Sequence, residues 1–163
     1  MLKIIKSMSE LNTEQLLSVY RQTRLGDLTI FLGETVSQDE AVFLDYLRET
    51  FFRIRGAFYC AWEVDGNYVS VVRFEPYKDG LLLESLETRR TDRRKGYALA
   101  LVLESLDFIR LAGYSTVYSH IAKINKPSFD LHRKCGFVEH SDTATLIDGT
   151  VSSRHYTMRY NFK

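Results

Sequence analysis

The spacing of apolar residues changes along this chain, and each change predicts an element. Met1 to Lys6 reads as a short strand. Asn12 then predicts a helix start, its side chain accepting from the backbone while Gln15 reaches back. Leu16, Val19 and Tyr20 repeat at helical spacing, and Arg24 to Asp27 would end this helix around Gly26. A second capping box, Ser37 to Glu40, predicts a second helix with Leu44, Leu47 and Phe51 as its buried stripe. From Phe58 the period falls to two. Phe58, Cys60, Trp62 and Val64 alternate with Tyr59, Ala61 and Glu63, and Asp65–Gly66 predicts a tight hairpin turn. Tyr68 to Phe74 reads as the return strand. Pro76 and Asp79–Gly80 mark another turn, and Leu81 to Thr88 a further strand.

Helical spacing returns at Leu99, Val102, Leu103 and Leu106, with Gly113 suited to the C-cap. Thr116 to Ile121 reads as a strand. Pro127 suits the first turn of a short helix and Gly136 its end. The tail, from Thr143 through Asp148–Gly149 to Phe162, predicts one long final hairpin. The order is therefore β-α-α-β-β-β-α-β-α-β-β. That is a single α+β (mixed α/β) domain over residues 1–163, mostly antiparallel. Its one β-α-β crossover, at residues 81–121, should be right-handed with parallel strands.

Composition narrows the function without naming it. Of 163 residues, 45% are hydrophobic and 26% charged, which is ordinary for a globular domain. A net charge of +1 gives no global field for nucleic acid or an anionic membrane, so neither is expected as a partner. No run approaches the length of a membrane span. Cys60 and Cys135 lack the spacing of a metal site and predict no disulfide, so a reducing, cytoplasmic compartment and no metal are expected.

The stretch Leu86 to Leu99 concentrates candidate chemistry. It sits between a predicted strand and a predicted helix, and a helix start leaves backbone N–H groups unpaired and partly positive. Such a terminus takes anions. Gly96 and Ala98 would let a phosphate come close to the backbone. Arg93, Arg94 and Lys95 add charge around it, as a pyrophosphate requires. A nucleic-acid patch is the competing reading, but Glu84, Glu87 and Asp92 dilute it. The run is neither a P-loop nor a dinucleotide fingerprint.

The segment Arg93-Arg-Lys-Gly96-Tyr-Ala98 resembles the Q/R-x-x-G-x-G/A signature of the GNAT acyltransferases. Downstream, Asn125-Lys-Pro-Ser128-Phe-Asp-Leu131-His132-Arg-Lys134-Cys-Gly136-Phe137 is similar to the family stretch N-x-x-A/S-x-x-L-Y-x-K-x-G-F. The match covers residues 81 to 138, and the element order is also that of the GNAT fold. The resemblance implies an acyl-coenzyme A held where the fourth and fifth strands splay apart. It implies that the backbone of Leu86, Glu87 and Thr88 holds the pantetheine arm and thioester. Arg93, Arg94, Lys95, Gly96, Tyr97, Ala98 and Leu99 would surround the pyrophosphate, and Asn125 would bond the pantetheine.

The activity so implied is transfer of acetyl from acetyl-coenzyme A to a primary amine of a small molecule or a protein. A non-catalytic acyl-coenzyme A binding module is the alternative. His132 stands where many members carry the tyrosine that protonates the leaving thiolate, and a neutral imidazole N–H could serve there. A lysine-like amine, with a pKa of about 10.4, is about one part in 10³ free base near neutrality, so a general base is needed. His120 is one candidate, five residues before Asn125. Glu84, which shares a strand face with Leu82, Leu86 and Thr88, is the other. The acceptor would lie against the first two helices and the final hairpin, which offer Asp27, Glu34 and Asp39, then Asp142, Asp148, Arg154 and His155. Family members are often dimers, so a homodimer is a possible assembly.

Overall fold

The computed structural model describes residues 1–21 and 36–163, the side chains of 36–39 excepted. Asp27, Glu34 and the Asp39 side chain, and the expected end of the first helix, lie outside the described residues. A seven-stranded sheet runs in the order β1-β2-β3-β4-β5-β9-β6. Its strands are β1 (Leu2–Ile5), β2 (Phe58–Val64), β3 (Asn67–Tyr77), β4 (Gly80–Thr88), β5 (Thr116–Ala122), β6 (Val138–Ser141) and β9 (His155–Asn161). The helices are α1 (Thr13–Tyr20), α2 (Val36–Glu49), α3 (Tyr97–Leu111) and α4 (Lys126–Lys134). The sheet is antiparallel except where β4 runs parallel to β5 across the α3 crossover. This is the α+β architecture that the periodicities predict.

Alternation sorts the sheet into two faces. Phe58, Cys60, Val72, Phe74, Leu81, Leu83, Val117 and Ile121 pack against Leu101, Val102, Leu106 and Ile109 of α3. The opposite residues, Tyr59, Ala61 and Val71, pack with Leu16, Val19 and Tyr20 of α1 and Leu47 of α2. A sheet buried on both faces needs apolar residues at both parities, which explains the near-continuous burial of β2 and β3.

Three details differ from the sequence reading. Asn12 caps α1 by accepting from the Gln15 N–H at 3.1 Å, but the Gln15 side chain does not reach back. It donates to the Gly66 carbonyl at 2.7 Å and accepts from the Tyr68 N–H at 3.1 Å, clamping α1 onto the β2–β3 hairpin. Helix α2 already includes Val36 and Ser37, so Ser37 is not its first turn's cap. Strand β3 runs through Pro76 to Tyr77. Pairing with β2 ends at Phe58↔Phe74, so the proline stands where one side of the strand has no ladder to break.

The tail is also more broken than one hairpin. Strands β6 and β9 pair with each other, and β7 (Ala144–Thr145) and β8 (Val151–Ser152) form a separate two-stranded ribbon between them. A register shift between Glu139 and Ser141 and the turn beginning at Leu146 interrupt the long pairing that alternation alone suggests.

Gly80 sets the approach of β4 to β5. A Cβ there would lie 2.1 Å from the carbonyl oxygen of Thr116, which is backbone and cannot rotate away. Gly80→Ala should therefore destabilise the fold by about 1–3 kcal/mol, read from urea unfolding. Unchanged stability would mean that the two strands can separate freely at this end.

Candidate active site at the split between β4 and β5

The parallel ladder between β4 and β5 is short. It pairs Leu81 with Val117, Leu82 with Tyr118 and Leu83 with Ser119, then stops. The cause lies in β4. Arg73 of β3 pairs with Glu84, yet Val71 pairs with Glu87, so Val72 faces two residues, Ser85 and Leu86. This bulge bends β4 away from its neighbour. Ser85 has φ +52°, a conformation that a side chain opposes. The Tyr20 hydroxyl of α1 donates to the Ser85 carbonyl at 3.0 Å and helps hold it there.

Beyond the last pair the strands diverge around a cleft of about 1230 Å³. Its walls include Glu84 to Thr88 of β4, Ser119 to Ala122 of β5, the first turn of α3, and Asn125, Ser128 and His132 on α4. Glu84 and His120 are the first residues past the ladder, at the apex of the split. Their side chains belong to the face carrying α1 and α2. Ser119 belongs to the opposite face, with α3 and α4.

The mouth is formed by the start of α3. Gly96 caps α3 with φ +85°, and nothing lies within 4 Å of where a Cβ would be. The first bond of α3 runs from the Ala100 N–H to the Gly96 carbonyl. The N–H groups of Tyr97, Ala98 and Leu99 precede it without a backbone partner among the described residues.

The basic residues contribute unequally, contrary to the expectation that all three surround the anion. Arg93 donates to the Thr88 carbonyl at 3.2 Å and to Glu87 at 2.9 Å, bracing the end of β4. Lys95 is paired with Asp92 at 2.9 Å, and Arg89 shares that carboxylate. Burial opposes the charge of Asp92, but Lys95 and Arg89 outweigh it and hold its pKa below the usual range. Arg94 is exposed and makes no ion pair among the described residues. Asn125 caps α4, its Oδ1 accepting from the Ser128 N–H at 3.2 Å. That leaves its Nδ2 for a ligand.

The histidines divide by environment. The Nε2 of His120 is buried and has no hydrogen-bond partner among the described residues. Burial, together with Lys78 and His155, lowers its pKa against the pull of Glu84, so the ring is neutral near pH 7. His132 is 2% exposed, and burial lowers its pKa as well. Its Nδ1 lies 2.8 Å from the Ser128 carbonyl, which can only accept, so Nδ1 carries the proton. Its Nε2 is then an acceptor for the Ser119 hydroxyl at 3.0 Å. The expectation that an N–H of His132 points at a thiolate is corrected, because its one N–H is spent on Ser128.

Among the described candidates for contacts with an acceptor, only His155 lines the cleft, its Nδ1 2.7 Å from the Ser152 hydroxyl. Asp148 accepts from the Thr150 N–H and shapes a turn, while Asp142 and Arg154 stand outside the cleft. Cys135 is buried in the core, its thiol pushed up to about 11, so it is a packing residue and no thiolate. No helix of the described residues is long and apolar enough to cross a membrane, and no group of three potential metal ligands occurs among them.

Sequence reasoning missed Ser119 and the group behind Glu84. Arg73 pairs with Glu84 at 3.3 Å beneath the rings of Tyr46 and Phe51. Glu75, two residues along the same face and 5% exposed, meets the Glu84 carboxyl. Burial and then that contact raise its pKa to about 7, with Arg73 opposing. The visible signals were a serine between Val117 and Ile121 on a buried face, and two charges at alternate positions of a buried strand.

The family model of the acetyltransferase (GNAT) family matches residues 24–137. Among solved structures, the PaiA N-acetyltransferase of Thermoplasma acidophilum, in complex with coenzyme A, superposes with a TM-score of 0.70 at 16% identity over 99% of each chain. An N-acetyltransferase from Staphylococcus aureus Mu50 gives 0.67 at 19% identity, over 100% of this chain and 99% of that one. A ribosomal-protein-alanine N-acetyltransferase from Brucella melitensis gives 0.67 at 16% identity over 99% of each chain. No curated protein matches in sequence.

Glu75 gives the site a pH signature. The folded state holds a proton to about pH 7 that the unfolded chain releases near 4.5. Its stabilising contribution is complete below about 4.5 and is lost as pH rises through about 7. Urea unfolding of the wild type minus that of Glu75→Gln should therefore fall between pH 5 and pH 8. A difference independent of pH would show that Glu75 ionises freely in the fold.

Proposed function

The chain belongs to the acetyltransferase (GNAT) family, and we propose that it moves acetyl from acetyl-coenzyme A directly to a primary amine of a small-molecule or protein acceptor. The observation that carries this reading is the split itself. A bulged β4 leaves β5 at Ser119, and the unpaired N–H groups of α3 stand at the mouth of the cleft that opens. Tyr97, Ala98 and Leu99, with Arg94, would hold the pyrophosphate by backbone N–H groups and one free guanidinium. The Nδ2 of Asn125 would bond the pantetheine. Backbone N–H groups from Leu86 to Thr88 would polarise the thioester carbonyl, an interaction that strengthens as negative charge develops on that oxygen.

The amine would enter on the face of Glu84 and His120. It arrives as an ammonium and must lose a proton before it attacks. His120 is the better-placed base of the two. Its buried Nε2 has no partner among the described residues and its ring is neutral, whereas Glu84 is engaged with Arg73 and Glu75. Glu84 then supplies negative charge beside the incoming cation and favours the imidazolium that forms.

Acetyl-coenzyme A at 100-fold over its Kd should stabilise the fold by about 2.7 kcal/mol. A panel of primary amines should then release free coenzyme A. His120→Asn should lower kcat about 10²-fold while leaving that stabilisation intact. An absent shift would contradict the cofactor assignment. A shift without thiol release across the panel would leave a binding module in place of an enzyme.

A further inference from the structure

The hydrogen-bond chain behind the apex has a fixed direction. The Ser128 carbonyl accepts from Nδ1 of His132 at 2.8 Å, and Nε2 of His132 accepts from the Ser119 hydroxyl at 3.0 Å. Both side chains are 2% exposed, yet both residues contribute to the cleft wall. Ser119 is the last residue of β5 paired with β4, so its hydroxyl stands at the apex on the face opposite His120. With its own hydrogen committed to Nε2, Oγ presents only lone pairs. It can take a proton but has none to give until His132 returns one.

We propose that Ser119, backed by His132, carries one proton from the attacking nitrogen to the departing sulfur of acetyl-coenzyme A. The proposal rests on the reading of this cleft as the acetyl-coenzyme A site. In the tetrahedral adduct, nitrogen and sulfur are bonded to the same carbon, so one hydroxyl can face both in turn. The adduct nitrogen carries one hydrogen too many. Its N–H bond breaks toward Oγ as the Oγ–H proton passes to Nε2, leaving a neutral adduct nitrogen and an imidazolium. The carbonyl re-forms, the C–S bond breaks, and its electron pair goes to sulfur. Nε2–H then returns its proton to Oγ, and Oγ–H gives its proton to sulfur. Serine and histidine end as they began, and no proton is gained or lost.

Burial suits His132 to this task. A ring that resists charge holds the proton briefly and releases it readily, while the Ser128 carbonyl keeps Nδ1 out of the exchange. His120 and Ser119 thus take different protons. His120 removes the one that makes the amine a nucleophile, and Ser119 moves the one that makes coenzyme A a leaving group.

The test compares acetyl-coenzyme A with its selenoester analogue, whose selenolate leaves without protonation at neutral pH. Ser119→Ala should lower kcat for the thioester about 10²-fold, with KM for the donor little changed. With the selenoester the same variant should approach wild-type kcat. Ser119→Thr keeps a hydroxyl and should keep most of the thioester activity. Equal losses with both donors, or full kcat for Ser119→Ala with the thioester, would overturn the shuttle while leaving the acetyltransferase reading standing. Failure of the wild type to bind acetyl-coenzyme A would overturn both, and calorimetry on the wild type tells the two cases apart.

Discussion

The bulge in β4 is the constraint on which the site depends. Two residues, Ser85 and Leu86, oppose Val72 alone, and that extra residue turns β4 out of register with β5 after Leu83. A sheet is normally closed by its ladders, and an unpaired buried N–H or carbonyl is costly. Here the ladder ends early and leaves backbone groups free on two diverging strands. Ser85 bears the strain with φ +52°, and Tyr20 reaches from α1 to hold its carbonyl. The first helix therefore does more than cover the sheet, because it steadies the distortion that opens the cleft.

The split also separates two environments. Strand alternation sends Ser119 toward α3 and α4 and sends Glu84 and His120 toward α1 and α2. On one side stand the start of α3 and the Ser119–His132–Ser128 chain. On the other stand an imidazole whose Nε2 has no hydrogen-bond partner among the described residues and a carboxyl cluster steadied by Arg73. The proposed transfer would use this arrangement, with a donor and an acceptor meeting at one carbon from opposite sides. The charged loop beside the cleft braces the fold. Arg93 and Lys95 are committed to Glu87 and Asp92, and only Arg94 of the three keeps a free guanidinium among the described residues.

The fold was legible wherever periodicity decides burial. The apolar stripe of α3, the alternation of β2 and the Asp65–Gly66 turn all followed from local spacing. The tail was not, because alternation cannot register a bulge or a turn that breaks one hairpin into β6, β9 and a small ribbon. The start of α3 was legible because glycine before a helix has a local meaning. The surroundings of Ser119 and of Glu75 were not. Ser119 looks like an ordinary strand residue until α4 brings His132 across to it, and Glu75 acquires its proton only through burial beside Glu84. Hydrogen-bond direction was equally hidden. The sequence offers His132 as a donor, and only the Ser128 carbonyl beside Nδ1 shows that Nε2 accepts.

In the proposed complex acyl-coenzyme A would lie along the diverging strands and end at the start of α3. Amide hydrogen exchange with and without acetyl-coenzyme A tests this directly. Protection should rise at residues 84–88 and 96–99, with little change along β1 and β2. Unchanged exchange in both segments under saturating ligand, or protection confined to another part of the sheet, would contradict it.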